Sequence, residues 1–286
     1  MRSRTLAVAA MAAAIAAAGA SARGPYRNGL VAFDRCCGAP TGIYAVKPDG
    51  TGEKLLYAAK ADDAPLTPAW SPDGKQIAFV PGAPAGGLWA MQANGTKRRR
   101  ITAGKGDPLF PSWSTDGKSI VFADLGSPSS QKHDIYVVRA NGTGLKRLTS
   151  APADETNPVW APDDSEIVFA RGGNLWRMNT NGTGQRLLLR DAGSPSWSPG
   201  ATRLAFVRGG DPWIANRNGG GAKLVLHTPP NDISVAWSPD GLWLLTSGID
   251  RGDLILVRAN GSATQALTHA AGSFNSWPAW QALPKG

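Results

Sequence analysis

The chain has 286 residues, of which 42% are hydrophobic and 18% are charged, and its formal net charge is +9. This hydrophobic content excludes an intrinsically disordered chain, and the 35 glycines and 22 prolines disfavour a helical bundle. The basic balance favours attraction to anionic envelope polymers or lipids over nucleic acid.

The first 22 residues have the features of a secretory signal peptide. Arg2 and Arg4 supply a charged start, residues 6–18 an apolar run, and Ala20-Ser21-Ala22 a small-residue cleavage site. The apolar run is shorter than the ~20 residues that a membrane-spanning helix needs, and no later segment is apolar enough to span a membrane. We therefore expect export to the periplasm or the extracellular space, and one mature domain over residues 23–286.

A strand–turn–strand unit with a tryptophan at the end of its first strand recurs along the chain. Its clearest copy is Trp70-Ser-Pro-Asp-Gly, followed by Ile77-Ala-Phe. The corresponding tryptophans stand at positions 70, 113, 160, 197, 237 and 280, separated by 43, 47, 37, 40 and 43 residues. A period of this length, filled with strand and turn signals, predicts propeller blades rather than a helical solenoid.

Each period continues with a third strand, a hairpin and a fourth strand. The third strand carries a large side chain, which is Tyr44, Trp89, Tyr136, Trp176, Trp213 or Ile255. An Asp-Gly or Asn-Gly pair follows, and its glycine stands six residues after that side chain. The pair predicts a type I′ hairpin, in which both residues have positive φ. Four strands per period make one blade.

The two ends of the chain complete each other. Residues 28–33 form a strand with no tryptophan strand before it, whereas the strand that ends at Trp280 has no partner after it. We predict an all-β fold: a six-bladed propeller of four-stranded antiparallel blades, closed by pairing of the C-terminal strand with the N-terminal blade.

The combination of Trp-Ser-Pro-Asp-Gly, Ile-Ala-Phe, Asn-Gly-Thr-Gly and Arg-Leu-Thr resembles the WD40-like repeat of the TolB-like β-propeller family. The resemblance covers residues 28–280 and recurs six times. It implies a periplasmic or extracellular binding propeller. TolB itself also carries an N-terminal α/β domain, and the few residues between Arg23 and Asn28 lead us to expect that this chain lacks it.

The loops that vary between blades should lie on one face of the propeller. In a four-stranded meander, the second-to-third loops and the blade-to-blade loops share a face, and such loops commonly carry binding residues. Here they contain thirteen acidic and eight basic residues, a net charge of about −5. The acids at the blade entries should surround the mouth of the central channel: Asp62, Asp63, Asp107, Asp154, Glu155, Asp191 and Asp232. They predict a face for a cationic segment, a basic partner or a cation, although aspartate also favours loops for its own turn chemistry.

Cys36 and Cys37 are adjacent and are the only two cysteines of the chain. Adjacent cysteines close a strained eight-membered ring when they pair, and export makes oxidation plausible. The pair has three interpretations: a vicinal disulfide that stiffens a loop, two thiols available to a soft metal, or a labile redox pair.

Other recurring residues have structural interpretations. The tryptophans should fill the wedges between blades, the turn aspartates should bond their own turns, and Lys97-Arg98-Arg99-Arg100 should protect an outer edge strand. No local catalytic motif occurs. The leading hypothesis is a monomeric, non-enzymatic module, without cofactor or nucleic acid, that binds a protein or an envelope component. The alternative is a lactonase-like hydrolase or lyase with Ca²⁺ or Mg²⁺ held by Asp and Asn oxygens at the channel mouth.

Overall fold

The computed structural model describes residues 26–37, 40–59, 66–81, 86–103, 106–127, 130–227, 232–248, 252–269 and 273–284. These residues form six four-stranded antiparallel sheets, each a propeller blade. Blade 1 consists of β24 (Phe274–Pro284), β1 (Tyr26–Cys36), β2 (Gly42–Val46) and β3 (Lys54–Ala58). Blade 2 consists of β4 (Ala69–Trp70), β5 (Gln76–Phe79), β6 (Trp89–Gln92) and β7 (Arg99–Arg100). Blade 3 consists of β8 (Leu109–Trp113), β9 (Ser119–Asp124), β10 (Asp134–Arg139) and β11 (Lys146–Arg147).

Blades 4 to 6 repeat the same order. Blade 4 consists of β12 (Glu155–Trp160), β13 (Ile167–Arg171), β14 (Asn174–Met178) and β15 (Arg186–Leu189). Blade 5 consists of β16 (Gly193–Trp197), β17 (Arg203–Arg208), β18 (Asp211–Asn216) and β19 (Lys223–Leu224). Blade 6 consists of β20 (Asp232–Trp237), β21 (Trp243–Gly248), β22 (Leu254–Arg258) and β23 (Thr264–Ala266). The all-β class and the six blades predicted from the tryptophan period are confirmed.

The predicted closure of the ring is also confirmed. Strand β24 is the first strand of blade 1 and pairs with β1, from Tyr26 opposite Pro284 to Cys36 opposite Phe274. The closed blade is tied to both neighbours. Asn28 donates from Nδ2 to Oδ2 of Asp240 in blade 6 (2.9 Å), and Gln281 donates from Nε2 to the Gly74 carbonyl oxygen in blade 2 (2.7 Å).

The second strand of each blade is buried on both sides. Five of these strands carry a phenylalanine with no exposed surface: Phe33, Phe79, Phe122, Phe169 and Phe206. Blade 6 has Thr246 at the corresponding position, and it also has no exposed surface. Burial of each phenylalanine contributes about 1.5–3 kcal/mol, so these strands are the main source of hydrophobic stabilisation within the blades.

The repeated tryptophans lie in the wedges between blades, as their recurrence predicted. Six hydrophobic clusters each join two adjacent blades. In one of them, Trp113 packs with Ile120 and Phe122 of its own blade and with Ala78 of the preceding blade. Its indole Nε1 also donates to the carbonyl oxygen of Ala69 in that blade (3.2 Å). The tryptophans therefore hold neighbouring blades together.

The Asp-Gly and Asn-Gly hairpins differ from the predicted type I′ turn. Only the glycine of each pair has positive φ, +84° for Gly95, and Asn94 does not. Gly95 N donates to the Gln92 carbonyl oxygen (2.8 Å), and Asn94 Oδ1 accepts from Thr96 N (3.1 Å). This is a type I turn followed by a left-handed residue. A Cβ on Gly95 would lie 2.3 Å from the Leu56 carbonyl oxygen of the preceding blade, so the glycine also permits close packing of blades.

The turn aspartates and the basic run have the structural roles that the sequence indicated. Oδ1 of Asp73 accepts from the hydroxyl of Ser71 within the same turn (2.7 Å). Strand β7 of the basic run is the outer strand of blade 2 and is exposed. Arg98 lies over the ring of Tyr57 in blade 1, with 5.0 Å to its centroid, and Arg99 donates to the Ala140 carbonyl oxygen in blade 3 (2.9 Å).

Asp34 introduces a pH dependence at the closing seam. Its side chain is 2% exposed and accepts a hydrogen bond from the Ser276 hydroxyl of β24 (2.5 Å). Burial raises the pKa of Asp34 to about 6, against the hydrogen bonds that it accepts. The folded state therefore holds this proton more tightly than the unfolded chain, whose Asp pKa is about 3.9.

We expect Asp34→Asn to remove part of the pH dependence of stability. The contribution of the Asp34 proton to the free energy of unfolding is fully present below the pKa of the unfolded chain, and it is lost as pH rises through about 6. The loss amounts to roughly 3 kcal/mol, at 1.36 kcal/mol per pKa unit. Denaturant unfolding of wild type and D34N at pH 4.5 and 7.5 measures this loss. The free energy of unfolding of D34N minus that of wild type should be more positive at pH 7.5 than at pH 4.5. An equal difference at both pH values would contradict the prediction.

Candidate binding face

The innermost strands share a backbone irregularity near the end of the channel where the variable loops lie, here called the loop face. In five blades a residue with positive φ precedes a proline: Thr67, Phe110, Asn157, Ser194 and Trp277, with φ between +34° and +54°. The strand pairing shifts register at this point, for example between Leu109 and Ser112. Such bulges and left-handed non-glycine residues cost energy and concentrate at functional sites.

The bulges place one variable side chain from each blade around the channel mouth. We call these side chains the rim residues: Thr67, Phe110, Asn157, Ser194, Ser234 and Trp277. Below them lie Pro68, Pro111, Pro158, Pro195, Val235 and Pro278. Together they line a cavity of about 110 Å³. An apolar cavity of about 150 Å³ holds benzene, so this one suits a single small apolar side chain.

The rim has an aromatic half and a polar half. The rings of Phe110 and Trp277 meet edge to face, with centroids 4.5 Å apart. Thr67 lies between their blades, and its Oγ1 accepts from Phe110 N (3.2 Å). The opposite half consists of Asn157, Ser194 and Ser234. The backbone of the rim thus repeats, with positive φ in five blades, whereas its side chains are of three chemical kinds: two aromatic rings, three hydroxyls and one amide.

The rim residues are not among the sites predicted from the sequence. They lie in or just before the first strands of the blades, where alternation alone places a side chain either in the core or in the channel. A signal was nevertheless present: in the five blades that have the repeated proline, the residue before it is different each time, as in Thr67, Phe110 and Asn157, while the proline and the tryptophan after it recur.

Three of the seven predicted acids are exposed on the loop face. Asp107 is exposed beside blade 3, and Asp191 is exposed before blade 5. The side chain of Asp154 is 53% exposed, and its Oδ1 accepts from His133 N (2.7 Å). Asp107 and Asp154 each stand three positions before a rim residue, Phe110 and Asn157 respectively.

Glu155 lies in the interior, unlike the exposed acids. It has no exposed surface, and its carboxylate pairs with Arg171 Nε (2.5 Å) and accepts a hydrogen bond from the Thr149 hydroxyl. Burial raises the pKa of Glu155, against both of these partners. Its role is to hold Arg171 inside the blade. Asp62 and Asp63 lie outside the described residues, as does the side chain of Asp232, whose backbone begins β20.

Arginines of the loop face are engaged within the blades. Arg35, Arg171 and Arg208 each follow the buried phenylalanine of a second strand by two positions and lie over its ring. Each also covers the aromatic residue of the third strand, at 4.3 to 5.1 Å from the ring centroid. The Arg35 side chain is 14% exposed and pairs with Glu53 (2.7 Å). These cations therefore offer little contact surface to a ligand.

The two cysteines lie at the loop-face end of the closing seam. Their sulfur atoms are 2.9 Å apart. Cys36 is half-buried and Cys37 is exposed, and both are free thiols. Among the described residues, no group of three or more His, Cys, Asp or Glu side chains has a geometry that could hold a metal ion. The described part of the chain also contains no helix with the length and apolar character needed to cross a membrane.

Comparison with known proteins gives one family and several structural neighbours. The family model described as the TolB beta propeller domain matches residues 43–283. TolB from Acinetobacter baumannii is similar in structure, with 21% identity and a TM-score of 0.76, over 94% of this chain and 70% of that one. A chain of a nidogen/laminin complex has 13% identity and a TM-score of 0.75, over 88% and 98% of the two chains.

A third neighbour is an enzyme. Oligogalacturonate lyase in complex with manganese has 14% identity and a TM-score of 0.57, over 80% of this chain and 71% of that one. At these identities the likeness of all three neighbours concerns the fold. No curated protein sequence matches the chain significantly.

Proposed function

The chain belongs to the TolB β-propeller domain family, and we propose that it is an exported, non-enzymatic module that binds a protein or cell-envelope component at its channel mouth. One observation carries the proposal: the rim presents aromatic, hydroxyl and amide side chains from a backbone position that is repeated in six blades and strained in five of them. Strain of about 1–3 kcal/mol per residue persists only where the surrounding structure holds it. Five such residues in one ring support selection for binding.

The chemistry of the face favours a partner segment that combines a small apolar side chain with positive charge. The cavity of about 110 Å³ accepts the apolar side chain against Phe110 and Trp277. Asp107 and Asp154, each three positions before a rim residue, add exposed negative charge, which steers a cationic segment toward the mouth. The amide of Asn157 is the polar group that fixes its orientation, because Ser194 Oγ already donates to the Ile233 carbonyl oxygen (2.6 Å) and Ser234 Oγ bonds Ser247 Oγ (2.5 Å).

The enzymatic alternative has less support. A hydrolase or lyase of the kind expected from sequence would hold a divalent cation with several oxygen ligands at the mouth. The rim offers hydroxyls, one amide and aromatic rings, and no carboxylate stands among the described residues that line the cavity. These groups are suited to recognition rather than to metal-assisted chemistry.

Site-specific photocrosslinking in cells that export the protein tests the proposal. A photoreactive side chain at Asn157 should capture one dominant partner. The same side chain at Ala263, which is exposed near the outer strand β23, should capture none. Trp277→Ala should abolish the capture at position 157, because it opens the aromatic half of the cavity, and Asp107→Lys should weaken it.

The control measurement is the melting temperature of each variant. Asp107 is exposed, so D107K should melt within a few degrees of wild type, since surface substitutions usually change stability by less than ~0.5 kcal/mol. Equal capture at positions 157 and 263, or capture that survives both W277A and D107K in folded protein, would show that the channel mouth is not the binding site.

A further inference from the structure

We infer that Cys36 and Cys37 form a reversible dithiol–disulfide site at the loop-face end of the closing seam, oxidised by low-molecular-weight disulfides. The inference is independent of partner binding. The sulfur atoms of the two cysteines are in contact, 2.9 Å apart. The φ of Cys37 is +63°, a left-handed conformation that a non-glycine residue rarely adopts. The two thiols therefore already face each other.

The two cysteines differ in access. Cys37 is exposed, whereas Cys36 is half-buried at the end of β1, opposite Phe274 of β24. Burial, the neighbouring Cys37 sulfur and the charge of Asp34 raise the pKa of the Cys36 thiol to about 12. Because the thiolate is the nucleophile in exchange, Cys37 is the residue that attacks first and Cys36 is the resolving thiol.

The exchange balances with one small disulfide per protein molecule. The Cys37 thiolate attacks one sulfur of the small disulfide, which breaks its S–S bond and releases one thiolate. Cys36 then loses its proton and attacks Cys37 Sγ, which forms the intramolecular bond and releases the second thiolate. The two protons lost by the cysteines go to the two released thiolates. The protein loses two electrons, and the small disulfide gains them.

The adjacency of the cysteines makes the oxidised form easy to reverse. Neighbouring Cα atoms are about 3.8 Å apart, which is shorter than the ~4.4–6.8 Å usual for disulfides. Strained and exposed disulfides have more oxidising potentials and are the labile ones. Because the chain has only two cysteines, no other intramolecular pairing competes. The site can therefore follow the thiol–disulfide balance of its compartment.

The position of the pair gives oxidation a local structural consequence. Arg35, the residue before the pair, is held by Asn275 Oδ1 of β24 (2.7 Å) and by a bidentate contact with Glu53. The strand is thus fixed up to Arg35, and a ring that links residues 36 and 37 constrains the chain immediately beyond it. Phe274, which is 41% exposed, lies opposite this ring.

Equilibration of the folded protein with mixtures of oxidised and reduced glutathione tests the site. After acid quench, alkylation with iodoacetamide and intact-mass measurement, the oxidising mixtures should give a monomer two hydrogen atoms lighter that takes up no alkyl group. Excess reduced glutathione should restore two alkylatable thiols. The Cys36→Ser variant should accumulate one glutathione adduct at Cys37. The Cys37→Ser variant should form its adduct at Cys36 at roughly one tenth of the rate of the Cys36→Ser variant or more slowly still, because a half-buried thiol of high pKa is a weak nucleophile.

Three results would overturn the inference. In the first, both thiols stay alkylatable in the most oxidising mixture. In the second, the wild-type chain accumulates two glutathione adducts, so that the resolving step fails. In the third, the oxidised product is a disulfide-linked dimer. Serine differs from cysteine by one atom, and Cys36 and Cys37 are not in the core, so the single variants should fold and keep the test interpretable.

Discussion

Deletion of residues 274–286 is expected to abolish the cooperative unfolding transition of the propeller. Strand β24 is the innermost strand of blade 1 and pairs with β1 along its length. It also brings Trp280 to the cluster between blades 6 and 1. Trp280 is only partly buried, so its own loss should cost less than the ~3–5 kcal/mol of a fully buried tryptophan. The deletion also removes all pairing of β24 with β1, however, and the total stability of a domain is only about 5–15 kcal/mol. The remaining blade 1 would have an unpaired edge.

Circular dichroism and denaturant unfolding of the shortened chain measure this effect. A synthetic peptide of residues 273–286, added in trans, should restore a sigmoidal transition, whereas a scrambled peptide should not. A shortened chain that still unfolds cooperatively within a few degrees of the full-length protein would show that pairing of β1 with β24 does not stabilise the ring.

Arg171→Met is expected to destabilise the protein by about 3–5 kcal/mol, because it leaves the Glu155 carboxylate buried without its cationic partner. Glu155 has no exposed surface, and its Oε1 lies 2.5 Å from Arg171 Nε. Arg208→Met is the matched control. Arg208 covers Phe206 and Trp213 in the same way, but it donates to the carbonyl oxygens of Arg190 and Asp191 rather than to a carboxylate. We expect its loss to cost about 1 kcal/mol.

The pH dependence distinguishes loss of the ion pair from loss of packing. Burial raises the folded-state pKa of Glu155, and removal of Arg171 raises it further. A group whose pKa is higher in the folded state than in the unfolded chain contributes most to the free energy of unfolding below its unfolded-state pKa. This contribution falls as pH rises. Urea unfolding should therefore give a larger penalty for R171M at pH 7.5 than at pH 4.5, and no such trend for R208M. The double variant R171M/E155L should recover most of the loss at pH 7.5.

The same residues show how far the acidic face could be predicted from sequence. Composition and loop position identified Asp107 and Asp154, and both are exposed. The same reasoning included Glu155, which is one position away in sequence and is buried. Its partner Arg171 is opposite it in the β12–β13 pairing, sixteen residues along the chain. A one-residue step along a strand moves a side chain to the other face of the sheet, so loop composition could not separate the two acids.

The Asn-Gly hairpins show a similar limit in local prediction. The sequence correctly indicated a tight turn with a left-handed glycine, because only glycine adopts that φ without cost. It did not indicate that Asn94 accepts from Thr96 N, or that Gly95 lies against the Leu56 carbonyl of the preceding blade. The first contact selects the turn type, and the second depends on how the blades stack.

The sequence by itself determined the six blades, their four strands and the closure of the ring, because the tryptophan period, strand alternation and turn residues are patterns within one repeat. The tertiary structure decided which side chains reach the channel mouth, which charges are exposed and which thiols meet. Those outcomes depend on neighbours from other blades: the bulge before each proline forms where six inner strands converge around one axis, and it turns Phe110 of blade 3 toward Trp277 of blade 1.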